Sequence, residues 1–342
     1  MTETSERQST PGAPGSAAPG PPRRRALAML GPGNIAAVYV WLVLIVIFGV
    51  WSPHLFLTGI TARRVLDQSA ITGIAALSVV LPLAAGVFDL SIGSTLGLSG
   101  VFAGWLLGNT GLSPAVVIVA AIGVGLVVGV FNSIVVVALR INSFIGTLAT
   151  GSIIAAITLG VSGDQILTHR TAGPFAQFAI ANWHGIQLPV LYMLALMIVM
   201  GFVLEQTVFG RFTYAAGYNP DVTKLVGVSV DRIRVLTLLV SGVVSALSGV
   251  ALTASIEAAD PSNGPSYLIP AFSAAFLGAY QFRHGRFNPW GTVVAVLMLT
   301  TGSVGLLLVG APQWSPQVFQ GAVLLASVGL GNIAGRRRDK TA

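Results

Sequence analysis

Ten mostly apolar stretches, most of them near 20 residues long, follow one another along the chain, at about 34–52, 68–87, 90–108, 114–138, 142–161, 188–205, 234–256, 267–281, 289–309 and 316–334. A helix rises 1.5 Å per residue, so about 20 apolar residues cross the hydrocarbon core of a bilayer. The series therefore predicts an all-α polytopic membrane protein with about ten transmembrane helices. Composition agrees. Of the residues 54% are hydrophobic and only 8% are charged, against about 25% charged in soluble domains. Such a chain cannot cover a water-facing surface, which excludes an ordinary soluble enzyme, a disordered protein and a nucleic-acid-binding protein. The sequence is irregular in two places: Asp89 interrupts the apolar run over 68–108, and the stretch 267–281 is short.

Basic residues set the orientation, because Lys and Arg concentrate in cytoplasmic loops. With an even number of spans both termini share a side. Placing them in the cytoplasm puts 15 of the 18 basic residues inside and leaves only Arg63, Arg64 and Arg170 outside. Residues 1–33 are rich in Pro, Gly and Ala and have no periodic apolar face, so they read as a disordered cytoplasmic tail. No small-residue cleavage site follows 34–52, so that stretch reads as an uncleaved first helix. The domain reading is thus a tail over 1–33, a transmembrane domain over 34–334, and a basic cytoplasmic tail over 335–342.

Several chemistries are absent from the residue inventory. There is no Cys, the four His form no HExxH, and no Ser/His/Asp set is apparent. No catalytic, cofactor or metal site is expected. No GxxxxGK[ST] exists, and neither lysine, Lys224 or Lys340, follows a Gly. If ATP drives this chain, the nucleotide sits on another polypeptide. Secondary transporters usually carry ionisable groups inside the membrane, and here the spans hold few.

Two loops are long: an outer one over 162–187 and a cytoplasmic one over 206–233. In the second, Asn219-Pro220-Asp221 is a helix start, with a preferred N-cap, Pro at the first helical position and an acid against the positive end of the helix dipole. Gly227 supplies a left-handed terminator. The result is a helix of about two turns over 220–226, too short to be stable without a surface to pack on. It is either a connector resting on its own bundle or a contact for another subunit. Asp89 is read as the cap of a helix starting near Leu90, or as a residue that lines a pathway or fixes a broken helix. Asn132, Ser133, Ser143, Thr147, Thr150 and Ser152 could face a polar solute, although such groups more often bond back to their own helix or to a neighbour.

Four stretches carry a resemblance. Asp89-Leu90-Ser91-Ile92-Gly93-Ser94 is close to G-x-D-L-S-V-G-S, and 132–150 (NSIVVVALRINSFIGTLAT) is similar to N-G-L-L-V-A-x-L-x-V-P-P-F-I-x-T-L-x-T. Residues 210–228 (GRFTYAAGYNPDVTKLVGV) match G-R-x-x-Y-A-I-G-G-N-x-x-A-A-x-x-x-G-I, and 285–292 (GRFNPWGT) lies near G-R-G-S-x-W-G-T. In family order and spacing these resemble the permease subunits of bacterial ABC importers for monosaccharides, the ribose/xylose/galactose type. Departures include Ser133 for Gly, Asn142-Ser143 for Pro-Pro, and Val222-Thr223 for Ala-Ala. The resemblance implies several things. There would be a second permease copy or paralogue, two cytoplasmic ATPase domains and an extracytoplasmic sugar-binding protein, in the bacterial plasma membrane. Asn219, Pro220, Asp221, Lys224 and Gly227 would form a coupling helix to the ATPase. Asp89, Ser91 and Asn132 would be signature or pathway residues. Arg63, Arg64 and Arg170, as outer basic residues, are either ordinary solvated loop charges or candidates for docking the binding protein. The alternative class is an ion-coupled secondary transporter of a small polar solute, and an intramembrane enzyme is a distant third.

Overall fold

The computed structural model describes residues 36–281 and 285–339; the tail expected over 1–33 lies outside them. The described helices run α1 (Ala36–Trp51), α2 (Pro53–Phe56), α3 (Gly59–Ala84), α4 (Ile92–Asn109), α5 (Pro114–Ser133, continued by a π-helical turn Ile134–Ala138), α6 (Ser143–Ser162) and α7 (Gln177–Ile180). Then follow α8 (Leu188–Gln206), α9 (Val208–Tyr218), α10 (Pro220–Leu225), α11 (Val230–Ile256), α12 (Leu268–Ala279), α13 (Pro289–Leu308) and α14 (Ser315–Asp339). A helix stands at each of the apolar stretches. By length and composition, 6 of the described helices can cross a membrane on their own: α3, α5 with its π turn, α6, α8, α11 and α13. The 12 residues of α12 rise only about 18 Å, extended at their start by a 3-10 turn Gly264–Tyr267. The chain is a multi-pass helical membrane protein.

Several boundaries differ from the sequence reading. Helix α3 starts at Gly59 rather than 68, because Thr58 accepts the Thr61 N–H as an N-cap and the polar residues after it do not stop a helix. Arg63 and Arg64 therefore stand on α3, not in a loop. Helix α11 starts at Val230, which shortens the loop expected over 206–233, and α14 continues past 334 to Asp339. The outer loop holds α7 and a small hairpin, β1 (Asn182–Trp183) and β2 (Ile186–Gln187), paired antiparallel. Its two turn residues, His184 and Gly185, both have positive φ (51° and 83°), as a two-residue hairpin turn of this twist requires. The all-α expectation needs this one amendment.

Helices α3 and α11 form the centre. Helix α11 packs against α5, α4 and α3, while α3 also packs on α8, α12 and α13; α13 carries α1. In α3 78% of the apolar window is buried, whereas α5 has 28% and α6 and α8 have 33%, so those three face outward. Lipid supplies no hydrophobic drive between helices, so close approach and polar bonds decide the packing. At the α5–α11 crossing, a Cβ on Gly125 or on Gly242 would fall 2.1 Å from the other's carbonyl oxygen. Ser248 donates to Ile71 O at 2.9 Å and Ser99 donates to Ala246 O at 3.0 Å, tying α11 to α3 and α4.

The connections gather at two ends. At one, Tyr214 donates to Phe287 O (2.7 Å) and Ala37 N–H to Gln281 Oε1 (3.1 Å). At the other, Leu167 pairs with Ala259, Thr171 donates to Glu257 O, and Arg170 donates to Thr110 O at 2.8 Å.

Candidate functional site

The chain breaks helix inside the bundle between α3 and α4. Helix α3 closes at Ala85, Gly86 takes φ +72°, and the residues up to Ser91 run without helical bonds before α4 opens at Ile92. At membrane depth such a segment survives only where protein satisfies its backbone. Phe88 N–H donates to Ser143 Oγ at 3.1 Å, Leu90 N–H donates to Thr147 Oγ1 at 2.9 Å, and the Thr147 hydroxyl reaches Phe88 O at 3.2 Å. The start of α6 thus serves as the partner strand the segment lacks.

Asp89 lies in the middle of it, 1% exposed, and is the one buried acidic or basic side chain among the described residues. Its Oδ1 accepts the Ser91 N–H (3.1 Å), the Ser91 hydroxyl (2.6 Å) and the Asn132 amide (3.3 Å), and its Oδ2 accepts the Ser241 hydroxyl (2.7 Å). Asn132 Nδ2 also donates to Ser91 Oγ at 2.7 Å. A buried carboxylate is tolerated when donors surround it; here they come from three elements. The expected helix cap is corrected in detail: Ser91 is the N-cap of α4 and makes no side-chain cap bond, while Asp89 turns back on Ser91 and reaches α5 and α11. Its position before α4 still suits the positive end of that helix. The structure brings Asp89, Ser91 and Asn132 into one cluster, buried and bonded to one another. Thr150 and Ser152 bond back to Gly146 O and Leu148 O of their own helix. Sequence reasoning missed Ser241 and also Ser245, which donates to Ile92 O. The available signal was the polar stripe Ser241, Ser245, Ser248 on an apolar span, spaced three to four residues as one helix face requires. No group of His, Asp or Glu among the described residues could hold a metal ion.

The second feature is the α9–α10 connection. Asn219 accepts the Val222 N–H through its side chain at 3.1 Å, Pro220 is the first helical residue, and Asp221 pairs loosely with Lys224 at 3.9 Å. Helix α10 ends at Leu225, a residue short of the expected limit, and Gly227 takes φ +83° with open space around it. Thr223 is buried, but Tyr218, Leu225 and Val226 are 94%, 86% and 72% exposed. Beside this tip a cleft of about 520 Å³ is lined by residues including Leu204, Arg211, Tyr214, Tyr218 and Arg286. The Arg286 guanidinium lies over the Tyr214 ring, 5.5 Å from its centre.

The three outer arginines do not form one group. The Arg63 guanidinium sits against the hairpin turn at Gly185. Arg170, at φ 59°, donates to Thr110 O and, at 3.5 Å, to Leu107 O, closing the end of α4.

Residues 61–328 match the family described as branched-chain amino acid transport system / permease component. The chain belongs to this permease family. It is 31% identical to a ribose import permease of Bacillus subtilis, over 84% of this chain and 88% of that one. Over 85% of this chain and 91% of the relative it is 29% identical to the ribose import permease of Escherichia coli K12. A fructose import permease of Rhizobium meliloti is 30% identical over 79% of this chain and 78% of its own. The chain is accordingly a permease subunit of an ATP-binding-cassette importer in the inner membrane, and permease subunits are not themselves enzymes. The matched region begins on the first turns of α3 and ends within α14, so it contains both the Asp89 cluster and the α9–α10 connection.

Proposed function

We propose that this permease forms, with a second copy or a paralogue, the translocation pathway for a monosaccharide delivered by an external binding protein. Ribose, fructose and arabinose import permeases among its relatives support the solute class. Ten helices cross the membrane and both termini are cytoplasmic. The gathering of Arg140, Arg211, Lys224 and Arg286 in connections between alternate spans, and of Arg232 and Arg234 on the first turns of α11, supports that orientation. The chain holds no cofactor; ATP is bound and hydrolysed by two cytoplasmic ATPase domains that grip α10. The observation that carries this reading is the tip of α10, where a six-residue helix and the residue that caps it leave Leu225 and Val226 largely exposed. A helix this short needs a surface to lie on, and apolar side chains at a water-facing end mark a contact site. Asn219, Pro220 and Gly227 fix the helix ends, and Asp221 and Lys224 flank its apolar tip. At the outer end Arg63 and Arg64 meet carboxylates on the binding protein, with Arg170 contributing only what its two carbonyl bonds leave free.

The test is reconstitution with the co-expressed ATPase and binding protein in liposomes, using labelled ribose, fructose and arabinose as probes. Uptake of one of them that needs internal ATP and ignores ionophores is the expected result. Uptake that follows an imposed ion gradient without ATP would overturn the proposal.

A further inference from the structure

We infer that the broken segment 85–91 is the link that carries movement of the α9–α10 connection into the bundle, with Asp89 as the positioning residue that fastens its inner end. The inference rests on the reading of α10 as the ATPase contact. The end of the segment next to α9 is a contact of backbone on backbone. A Cβ on Gly217 would fall 2.1 Å from Ala84 O and 3.0 Å from Gly86 N, and one on Gly86 would lie 3.2 Å from Gly217 Cα. Gly217 stands three residues before Pro220, so α10 is joined to this contact by only Tyr218 and Asn219. Around it Ala85, Ala216, Val230 and Ile233 form a small buried cluster. At the Gly86–Gly217 contact itself there is no side chain to rotate out of the way. Packed interiors transmit displacement rather than absorb it, so a push on α10 reaches residues 84–86 directly.

The inner end is held by directional bonds instead of apolar packing. Within six residues of Gly86 the segment is bonded to α6 through Ser143 and Thr147, to α5 through Asn132 and to α11 through Ser241. Ser91 then opens α4, so displacement of 85–91 must shift the start of that helix or break these bonds. One partner is built to yield. Directly after Asn132 and Ser133, α5 turns into the π-helical stretch Ile134–Ala138, which has no buried residue and is followed two residues on by Arg140 at φ 56°. An open groove of about 540 Å³ runs between that stretch and α11, lined by residues including Ser133, Val137 and Leu239. Such π turns are frequent at functional sites. The joint also has a spare acceptor, since Asn132 Oδ1 is buried without a hydrogen-bond partner. A second arrangement that supplies it a donor sacrifices no bond at that atom.

The experiment measures hydrogen exchange by mass spectrometry on the permease assembled with its ATPase in nanodiscs, nucleotide-free and trapped with ATP and vanadate. Protection of 219–227 on ATPase binding is expected. Peptides covering 85–91 should change exchange at least threefold on trapping. Gly217→Ala should keep the assembly and its ATP hydrolysis but abolish that change. Ser241→Ala lies on α11, outside the α9–α10 connection; it should leave the nucleotide response of α9 intact and remove the response of 88–91. It also serves if Gly217→Ala fails to assemble. Asp89→Ala should raise nucleotide-free exchange over 88–91 at least tenfold, and Asp89→Asn, which keeps an oxygen acceptor, should restore most of the protection. Protection at 219–227 with no trapping response in 85–91, or an undiminished response in both Gly217→Ala and Ser241→Ala, overturns the inference alone. Absence of protection at 219–227 overturns the reading beneath it, and the inference with it.

Discussion

The Ser241–Asp89 bond permits a quantitative test, because Asp89 Oδ2 accepts from Ser241 at 2.7 Å and both groups are buried. Ser241→Ala leaves a buried carboxylate oxygen without that donor. Hydrogen bonds to charged groups contribute about 1.5–3 kcal/mol. Neutral bonds between membrane helices average only about 0.6 kcal/mol, because the unfolded chain in lipid finds other partners. Ser248→Ala is the internal comparison: it deletes a bond of the same type, from the same helix, to the neutral Ile71 carbonyl at 2.9 Å. We expect Ser241→Ala to cost at least about 1.5 kcal/mol and Ser248→Ala about 0.6 kcal/mol. Asp89→Asn places an amide or an oxygen opposite Ser241, and the serine can donate to one or accept from the other. In the double variant Ser241→Ala/Asp89→Asn the serine's loss should therefore cost about 1 kcal/mol less than in the single variant, a coupling within the range for residues in contact. The assay is reversible unfolding in mixed micelles with rising dodecyl sulfate, followed by tryptophan fluorescence. Equal costs for Ser241→Ala and Ser248→Ala, with strictly additive effects in the double variant, would show that Asp89 is not held by this bond and would refute the reasoning.

Four further outcomes follow from the geometry. With no native Cys to compete, single cysteines at Ser262 and Gln165 should react with an impermeant maleimide from outside, and one at Leu225 only after the membrane is opened; Thr171 is unsuitable because it is buried. Gly227→Val forces a β-branched residue to φ +83°, at a cost of order 1–3 kcal/mol for a strained backbone position; membrane expression should be normal while ATPase co-purification falls at least threefold. Arg63→Glu and Arg64→Glu should weaken binding-protein docking and flatten its salt dependence, since exposed charges are screened over about 8–10 Å. Arg170→Ala should instead loosen the outer end of α4, read as increased proteolysis of the loop over 162–187.

The parts of this fold legible in the sequence are those governed by single helices. Apolar length located a helix at every expected stretch, and Asn219-Pro220-Asp221 with Gly227 placed α10 to within one residue at its end, because capping is a local interaction. What depended on contacts between distant residues was not legible. The start of α3 was read too late because Arg63, Arg64 and Asp67 look like loop, yet they are polar residues on the first turns of a helix capped by Thr58. Asp89 carried two open readings because its partners Asn132 and Ser241 lie 43 and 152 residues away. No spacing rule reaches that far.

The departures from the family pattern show how the chain meets its own requirements at this break. Where the resembling permeases carry Pro-Pro, this chain has Asn142-Ser143. Asn142 accepts the Phe144 N–H at 3.0 Å and caps α6, and Ser143 accepts the Phe88 N–H at 3.1 Å. A proline at the second position has no side-chain acceptor, so there the amide of the broken segment would need another partner. At Val222-Thr223, in place of Ala-Ala, the threonine hydroxyl donates to Asn219 O at 2.8 Å and is buried beneath α10, while Val222 adds to the exposed apolar tip. Both departures fall at the two ends of the link between α10 and Asp89. The Thr223 bond stays within α10 and its cap, whereas the Ser143 bond joins α6 to the broken segment, so the departure that adds a contact between elements is the one at the break, where an amide at membrane depth needs a partner.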